Sequence, residues 1–402
     1  MSKDFIARDI YTAKILPYIN KNLIKVIVGQ RRTGKSYLLY QIMEIIKRDF
    51  PEMPIIHINK EDLQFDLIQS YTDLVGYAEQ MRTGKGKHAI FIDEIQDIDQ
   101  FEKALRHFQF NDDWDIYCTG SNAKLLSGEL ATYLSGRYIE IKMYSLSYPE
   151  FLLFQKLEDS PDNFYTYLKY GGLPYLCNLD LNDATVFEYL KNIYNTILFK
   201  DVVARFNIRH IAFLERLTRY VADNIGNLLS AKKINDYLKS QKLSFSNNIV
   251  LDYLHHLQNA YLILCIHRND LKGKRILEIG EKYYFHDTGM RHAIGGFKQN
   301  DISQLFENIV LHHLLINEYD VTIGKIDDYE IDFVCDKAGS RLYIQVTLSL
   351  ADAKVREREI GNLLQVRDNF RKIVVTGDEY SEKSQQGVEI WNIRKFLTHF
   401  DN

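Results

Sequence analysis

The chain has 402 residues, room for two to four domains, and 46% apolar residues, enough for large cores. Cys118, Cys177, Cys265 and Cys335 stand far apart with no C-x-x-C pair, which excludes a disulfide scaffold and a zinc ribbon and predicts buried free thiols. No run approaches 18 apolar residues and no signal-type segment follows Met1, so a cytoplasmic protein without a membrane partner is expected; the formal charge of −4 hides a local +6 over residues 206–300, where 14 Lys and Arg face 8 Asp and Glu, a hint of nucleic-acid contact.

Asp4 to Lys21 reads as an amphipathic helical lead-in. Leu23 to Val28 is a short buried strand that runs into Gly29-Gln30-Arg31-Arg32-Thr33-Gly34-Lys35-Ser36, a match to G-x-x-x-x-G-K-[ST], and Tyr37 to Met43 continues as a helix. That strand–loop–helix order is what a polyphosphate cradle requires. Gly29 and Gly34 let successive N–H groups turn inward, and the helix N-terminus adds partial positive charge. Lys35 is expected on the β- and γ-phosphates and Ser36 on magnesium, with Tyr37 completing the nucleotide contacts. A Gly- and Lys-rich surface turn would share the composition but not the flanking strand and helix.

Pro54 to Asn59 reads as a second strand, Leu63 to Met81 as a helix, and Lys85-Gly86-Lys87 as a loop. His88 to Glu94 is an apolar strand ending in two carboxylates, expected beside the phosphate-loop strand. Asp93 would then meet the magnesium shell and Glu94 would polarise the attacking water, with Gln96 as a second water-orienting group or a plain helix-start residue. Asp115 to Asn122 is another strand. Its polar end, Asn122 above all, would sit between the other two strands as a nucleotide sensor, or cap a helix beginning Ala123-Lys124-Leu125-Leu126. Arg137, before the strand Tyr138 to Ile141, is either a surface residue or a stabiliser of γ-phosphate charge, acting in cis or from a neighbouring subunit; the sequence sets no oligomeric state.

Together, Gly29–Ser36, Phe91-Ile92-Asp93-Glu94, Thr119-Gly120-Ser121-Asn122, Leu134-Ser135-Gly136-Arg137 and Tyr144 to Phe151 resemble one group of prokaryotic AAA-type ATPases, the archaeal-type ATPases and their bacterial relatives. Tyr170-Gly171-Gly172-Leu173-Pro174-Tyr175 is similar to the helical lid of that family, so the resemblance covers nearly the whole chain. It implies an α/β P-loop parallel-sheet ATPase over residues 1–149, a helical lid over 150–206, and ATP with Mg2+ as the nucleotide and ion.

Residues 207–299 read as three helices and a hairpin, a winged helix. The helices are Phe213 to Ile225, Ala231 to Ser240, and one capped by Ser246 with Ile249, Val250, Tyr253, Leu254 and Leu257 on its apolar stripe. Its other face carries Asn247, Asn248, Asp252, His255 and His256, and the hairpin carries Lys272, Lys274 and Arg275; double-stranded DNA or a protein partner would dock there. Residues 300–402 follow the layout of a small α/β PD-(D/E)xK nuclease-like fold, with Glu307 on a helix and Asp332 on a strand. Gln345 and Thr347 stand where an acid and a lysine belong, so a degenerate domain kept for binding or assembly is expected over an ATP-driven nuclease.

Overall fold

Every residue of the strand Ile24–Gly29 is buried. A parallel strand covered on both faces has no polar side to show, which is why it reads as an apolar run broken only by Lys25, itself buried against Asp115. The computed structural model describes residues 6–84, 86–110, 112–123, 136–240, 245–271, 273, 275–379 and 383–400. The chain divides into two compact units, residues 1–143 with 259–261, and residues 144–258 with 262–402.

In the first unit five parallel strands, β1 (Ile24–Gly29), β2 (Ile55–Asn59), β3 (His88–Asp93), β4 (Trp114–Gly120) and β5 (Tyr138–Met143), lie in the order β2-β3-β4-β1-β5. Alternation along the strands splits the core in two. Val26, Val28, Ile90 and Ile92 pack with Leu74, Leu105 and Phe108, while Ile27, Ala89 and Phe91 pack with Leu38, Leu39 and Ile42 of the helix Lys35–Asp49. Each such side chain contributes about 1.5–3 kcal/mol on burial. Contrary to expectation, the Asp93 strand does not lie beside the phosphate-loop strand; β4, buried along its whole length, takes the place between them, where its polar end was expected. The lead-in helix is shorter than expected, Asp9–Ile15, and gives way to a tight turn at Leu16–Tyr18. The expected helix Leu63 to Met81 is also broken. Ser70 and Asp73 form a reciprocal cap that starts the helix Tyr71–Met81, leaving Leu63–Phe65 as a separate turn.

The second unit begins with the helices Tyr148–Gln155, Pro161–Tyr170 and Asp183–Thr196, the last continuing as a π-helix over Ile197–Ala204. These helices, expected as a lid on the nucleotide, belong to the second unit, where Pro161–Tyr170 and Asp183–Thr196 pack on the helix Thr288–Gly295. Asp287 caps that helix by accepting the Met290 N–H at 3.0 Å, and its other oxygen accepts the Gly172 N–H at 2.8 Å.

The helices Ile211–Asp223, Ala231–Ser240 and Asn247–Asn259 follow, with the short β6 (Leu228–Leu229) and the hairpin β7 (Ile263–Asp270) and β8 (Arg275–Phe285). Val250, Tyr253, Leu254 and Leu257 are buried, and Asn247, Asn248, Asp252 and His255 are exposed as expected. His256 is not on that face; it stacks on Phe206 with ring centroids 4.0 Å apart. Lys272 and Lys274 lie outside the described residues, as do Leu134 and Ser135.

The hairpin does not stand alone. β7 pairs in parallel with β9 (Asp320–Ile326), so one nine-stranded sheet runs through β10 (Tyr329–Lys337), β11 (Ser340–Thr347), β12 (Arg371–Thr376), β13 (Ser384–Gln385) and β14 (Val388–Asn392) in the order β13-β14-β12-β11-β10-β9-β7-β8-β6. The boundary expected at residue 299 is therefore crossed by a single sheet. Of the cysteines, all free, Cys118 and Cys335 are buried and Cys177 and Cys265 only partly so. Among the described residues, no helix is long and apolar enough to cross a membrane.

Candidate nucleotide-binding site

Parallel strands align their carboxyl ends, and here Gly29, Asn59, Asp93 and Gly120 end at one edge of the sheet, where ligands of such folds bind. Gly29 has φ +152°, and a Cβ there would lie 2.1 Å from the Met143 carbonyl, so only glycine lets the loop leave β1 along this path. Gly34, at φ 98°, turns the chain into the helix Lys35–Asp49. Arg32 also holds a positive φ of 68° and is exposed.

The loop is braced from within. The Thr33 hydroxyl donates to the Gln30 carbonyl at 2.9 Å, and the Thr33 carbonyl accepts from Arg8 Nη1 at 3.1 Å. Lys35, 4% exposed, donates from Nζ to the carbonyls of Gly29 at 3.2 Å and Gln30 at 3.1 Å. Arg31 pairs with Glu61 at 3.1 Å. Tyr37 is exposed, its ring edge-on to Tyr40. Both atoms of the fully buried Gln30 side-chain amide lack a partner among the described residues, as befits a group that completes its bonds with a polar ligand. This cradle fits a polyphosphate.

Asp93 and Glu94 are both buried, yet differ in electrostatics. Burial pushes the Asp93 carboxyl up, opposed by hydrogen bonds from Ser36 and Thr119. For Glu94 burial acts the same way, but the positive charges of Lys35 and Arg31 and the bonds from Gln96 and Ser121 win, and the carboxyl lies below its usual range. Glu94 Oε1 is 3.8 Å from Lys35 Nζ, and Oε2 accepts from Ser121 Oγ at 3.1 Å and from the Gln96 amide. The Glu94 backbone sits in the left-handed region at φ 56°, a strained state for a residue with a side chain.

At the polar end of β4, where Asn122 above all was expected as the sensor, Thr119 and Ser121 contact the acids directly, and their alternate spacing puts both on one side. Asn122, just beyond them, is buried too. Arg137 precedes Tyr138, which is paired with Ile24 at the start of β1, whereas the loop leaves β1 at Gly29. Five residues of strand, about 17 Å, separate the two levels, so Arg137 lies at the end of the sheet away from the Gly29 loop.

Sheet order, phosphate loop and acid pair define an AAA-type P-loop ATPase fold. Residues 21–152 match the family model described as an AAA domain, and residues 161–301 match one described as a domain of unknown function (DUF8612). An uncharacterized protein of Haemophilus influenzae is 36% identical over 397 residues, covering 97% of this chain and 98% of that protein. An uncharacterized protein of Methanocaldococcus jannaschii is 32% identical over 403 residues, covering 94% and 86%. The chain belongs to the family of prokaryotic AAA-type P-loop ATPases represented by these two proteins. Among solved structures, a Walker-type ATPase of Pyrococcus abyssi aligns at 14% identity and TM-score 0.47 over 72% of this chain and 96% of that one. The Aeropyrum pernix ORC1 protein in complex with DNA aligns at 11% and 0.35 over 73% and 93%.

Proposed function

We propose that this protein binds Mg2+-ATP at residues 29–37 and hydrolyses it, with Glu94 as the group that orients and deprotonates water. The observation that carries this reading is the state of Glu94: buried, strained, kept ionised by Lys35 and fixed by Ser121 and Gln96. A general base must be unprotonated and held in one place, and both conditions are met. Ser36 and Asp93 would hold the magnesium ion, whose role is to neutralise phosphate charge. Lys35 would exchange its two carbonyl partners for phosphate oxygens, and the loop N–H groups from Gly29 to Ser36 would fix the β-phosphate. Arg137 would contribute only from a neighbouring copy.

The test is ATP turnover beside ATP binding in the wild type and Glu94→Gln. Turnover should fall by about 10²-fold or more while binding persists; an unchanged rate in the variant would sink the assignment.

We further propose that ATP use is coupled to duplex DNA through residues 207–299. Three helices followed by a hairpin, with β6 pairing on β8, support a winged helix, and Asn247, Asn248, Asp252 and His255 give its third helix an exposed polar face. That face is not basic, so phosphate contacts would fall to the hairpin, with Arg275 and the neighbouring Lys272 and Lys274. Binding of a duplex that weakens with salt and disappears when the three are changed to Glu supports DNA. Salt-insensitive or absent binding would leave a protein-docking module.

A further inference from the structure

Glu307, Glu330 and Asp332 converge in the second unit, and one ammonium lies among them. Lys282 of β8 is 4% exposed, and its Nζ is 2.9 Å from Glu330 Oε1 and 3.4 Å from both Glu307 Oε2 and Asp332 Oδ1. Two further hydrogen bonds reach these carboxylates. The Tyr284 hydroxyl donates to Glu307 Oε2 at 2.9 Å, and the Val346 N–H donates to Asp332 Oδ2 at 2.9 Å. Gln345, standing where a nuclease of this layout needs its second acid, is turned to other work: Oε1 accepts the Asp332 N–H at 2.7 Å and Nε2 donates to Glu359 Oε2 at 2.7 Å. A cleft of about 560 Å³, lined also by Tyr220, Asn224, Lys233 and Gln304, opens onto the cluster.

A divalent ion entering here would meet Asp332 bonded through both oxygens, an amide in place of a carboxylate, and a positive charge in its path. The residues present do not fit a nuclease metal. Burial and the nearby Asp332 push the Glu307 carboxyl up to about 8, and burial also pushes the Asp332 carboxyl up against the pull of Lys282.

We propose that Lys282 is the permanent cation of this cluster, filling the place of a metal ion and tying the hairpin strand β8 to the helix Ile302–Ile316 and to β10. The comparison with a metal site rests on the nuclease-like reading of residues 300–402; the ATPase reading stands or falls separately, at Glu94. A tethered ammonium cannot dissociate, and its charge repels a second cation at contact distance.

The experiment is Mn2+ titration of the full-length, nucleotide-free protein, read by electron paramagnetic resonance and by thermal melting. Wild type and Asp332→Asn should bind Mn2+ alike. Lys282→Ala should gain one site, on the order of tenfold tighter than any residual binding in the wild type, with a melting temperature raised by Mn2+. Adding Asp332→Asn to Lys282→Ala should abolish the gain. Mn2+ binding by the wild type that Asp332→Asn removes would overturn the proposal, and so would a folded Lys282→Ala with no added site. If Lys282→Ala fails to fold with or without Mn2+, the same titration on Lys282→Ala with Glu330→Gln, which lowers the uncompensated charge, decides by the same two outcomes. Magnesium-dependent DNA cleavage lost in Asp332→Ala would also overturn it.

Discussion

Thr119 accepts the backbone N–H of Glu94 at 2.9 Å through the same hydroxyl that donates to the Asp93 carboxylate. One side chain from β4 thus sets the positions of two acids with different tasks. It also explains why β4 lies between β1 and β3: from there its carboxyl end reaches the Asp-Glu pair and stays beside the loop that ends β1. The left-handed backbone of Glu94 costs on the order of 1 kcal/mol or more, and the bond from its N–H to Thr119 helps to hold it there.

Thr119→Val keeps the shape and removes both bonds. ATP turnover should fall about 10- to 100-fold, the loss expected for hydrogen bonds involving a charged group, with nucleotide affinity little changed. Thr119→Ser should recover most of the rate. Steady-state turnover together with a nucleotide-binding titration separates the two effects; equal loss of binding and turnover would mean that Thr119 shapes the pocket as a whole.

The phosphate loop, the acid pair and the five strands of the first sheet were legible because each is a local demand. A Cβ at position 29 would strike the Met143 carbonyl, a strand packed on both faces must be largely apolar, and the acids come at the end of such a strand. Strand order was legible only in part: the polar end of β4 was expected between the other two strands and lies there, while β3 was expected beside β1 and is not, since such order depends on which neighbour each crossover finds. The fusion of the hairpin with the C-terminal sheet was not legible, as it rests on the pairing of Arg268 with Ile323 far along the chain. Lys282 was hidden for the same reason. It is 25 residues from Glu307 and 50 from Asp332, and in sequence it is one more cation in a basic stretch.

The second unit should lose stability as pH rises. The Glu307 carboxyl has an ordinary value of 4.5 and is raised to about 8 in the fold by burial and then by Asp332. Between these values the native state keeps a proton that the unfolded chain has released, so unfolding free energy falls with pH, at a slope approaching about 1.4 kcal/mol per unit. Below pH 4.5 both states are protonated and the effect vanishes. Glu307→Gln should flatten the dependence, as read from urea unfolding at several pH values between 5 and 8; a wild-type profile that rises across this range would contradict it.

Arg137 offers a test of assembly. Its place at the far end of β5 from the loop means that Arg137→Ala should leave ATP affinity unchanged. If the residue works from a neighbouring copy, turnover per chain should fall in the variant, and dilution of the wild type should reproduce the fall. A variant with full turnover at every concentration would assign Arg137 to the surface.

The pair Gly171-Gly172, which in the sequence resembles a lid signature, has a packing role that can be measured. Gly171 lies at φ +78°, and a Cβ there would stand 2.2 Å from Asp287 Oδ1; one on Gly172 would stand 2.4 Å from the Leu146 carbonyl. Asp287 is fully buried, its carboxyl raised by that burial against hydrogen bonds from Gly172 and Met290, so it has no room to retreat. Gly171→Ala must therefore displace the cap of the helix Thr288–Gly295 as well as strain its own backbone. It should cost about 2–4 kcal/mol, measured by chemical denaturation. Asp287→Ala, which removes the clash partner and the cap together, should be destabilising alone, yet the double variant should cost less than the sum of the two. Strict additivity would show that the glycine answers only to its backbone angle and not to Asp287.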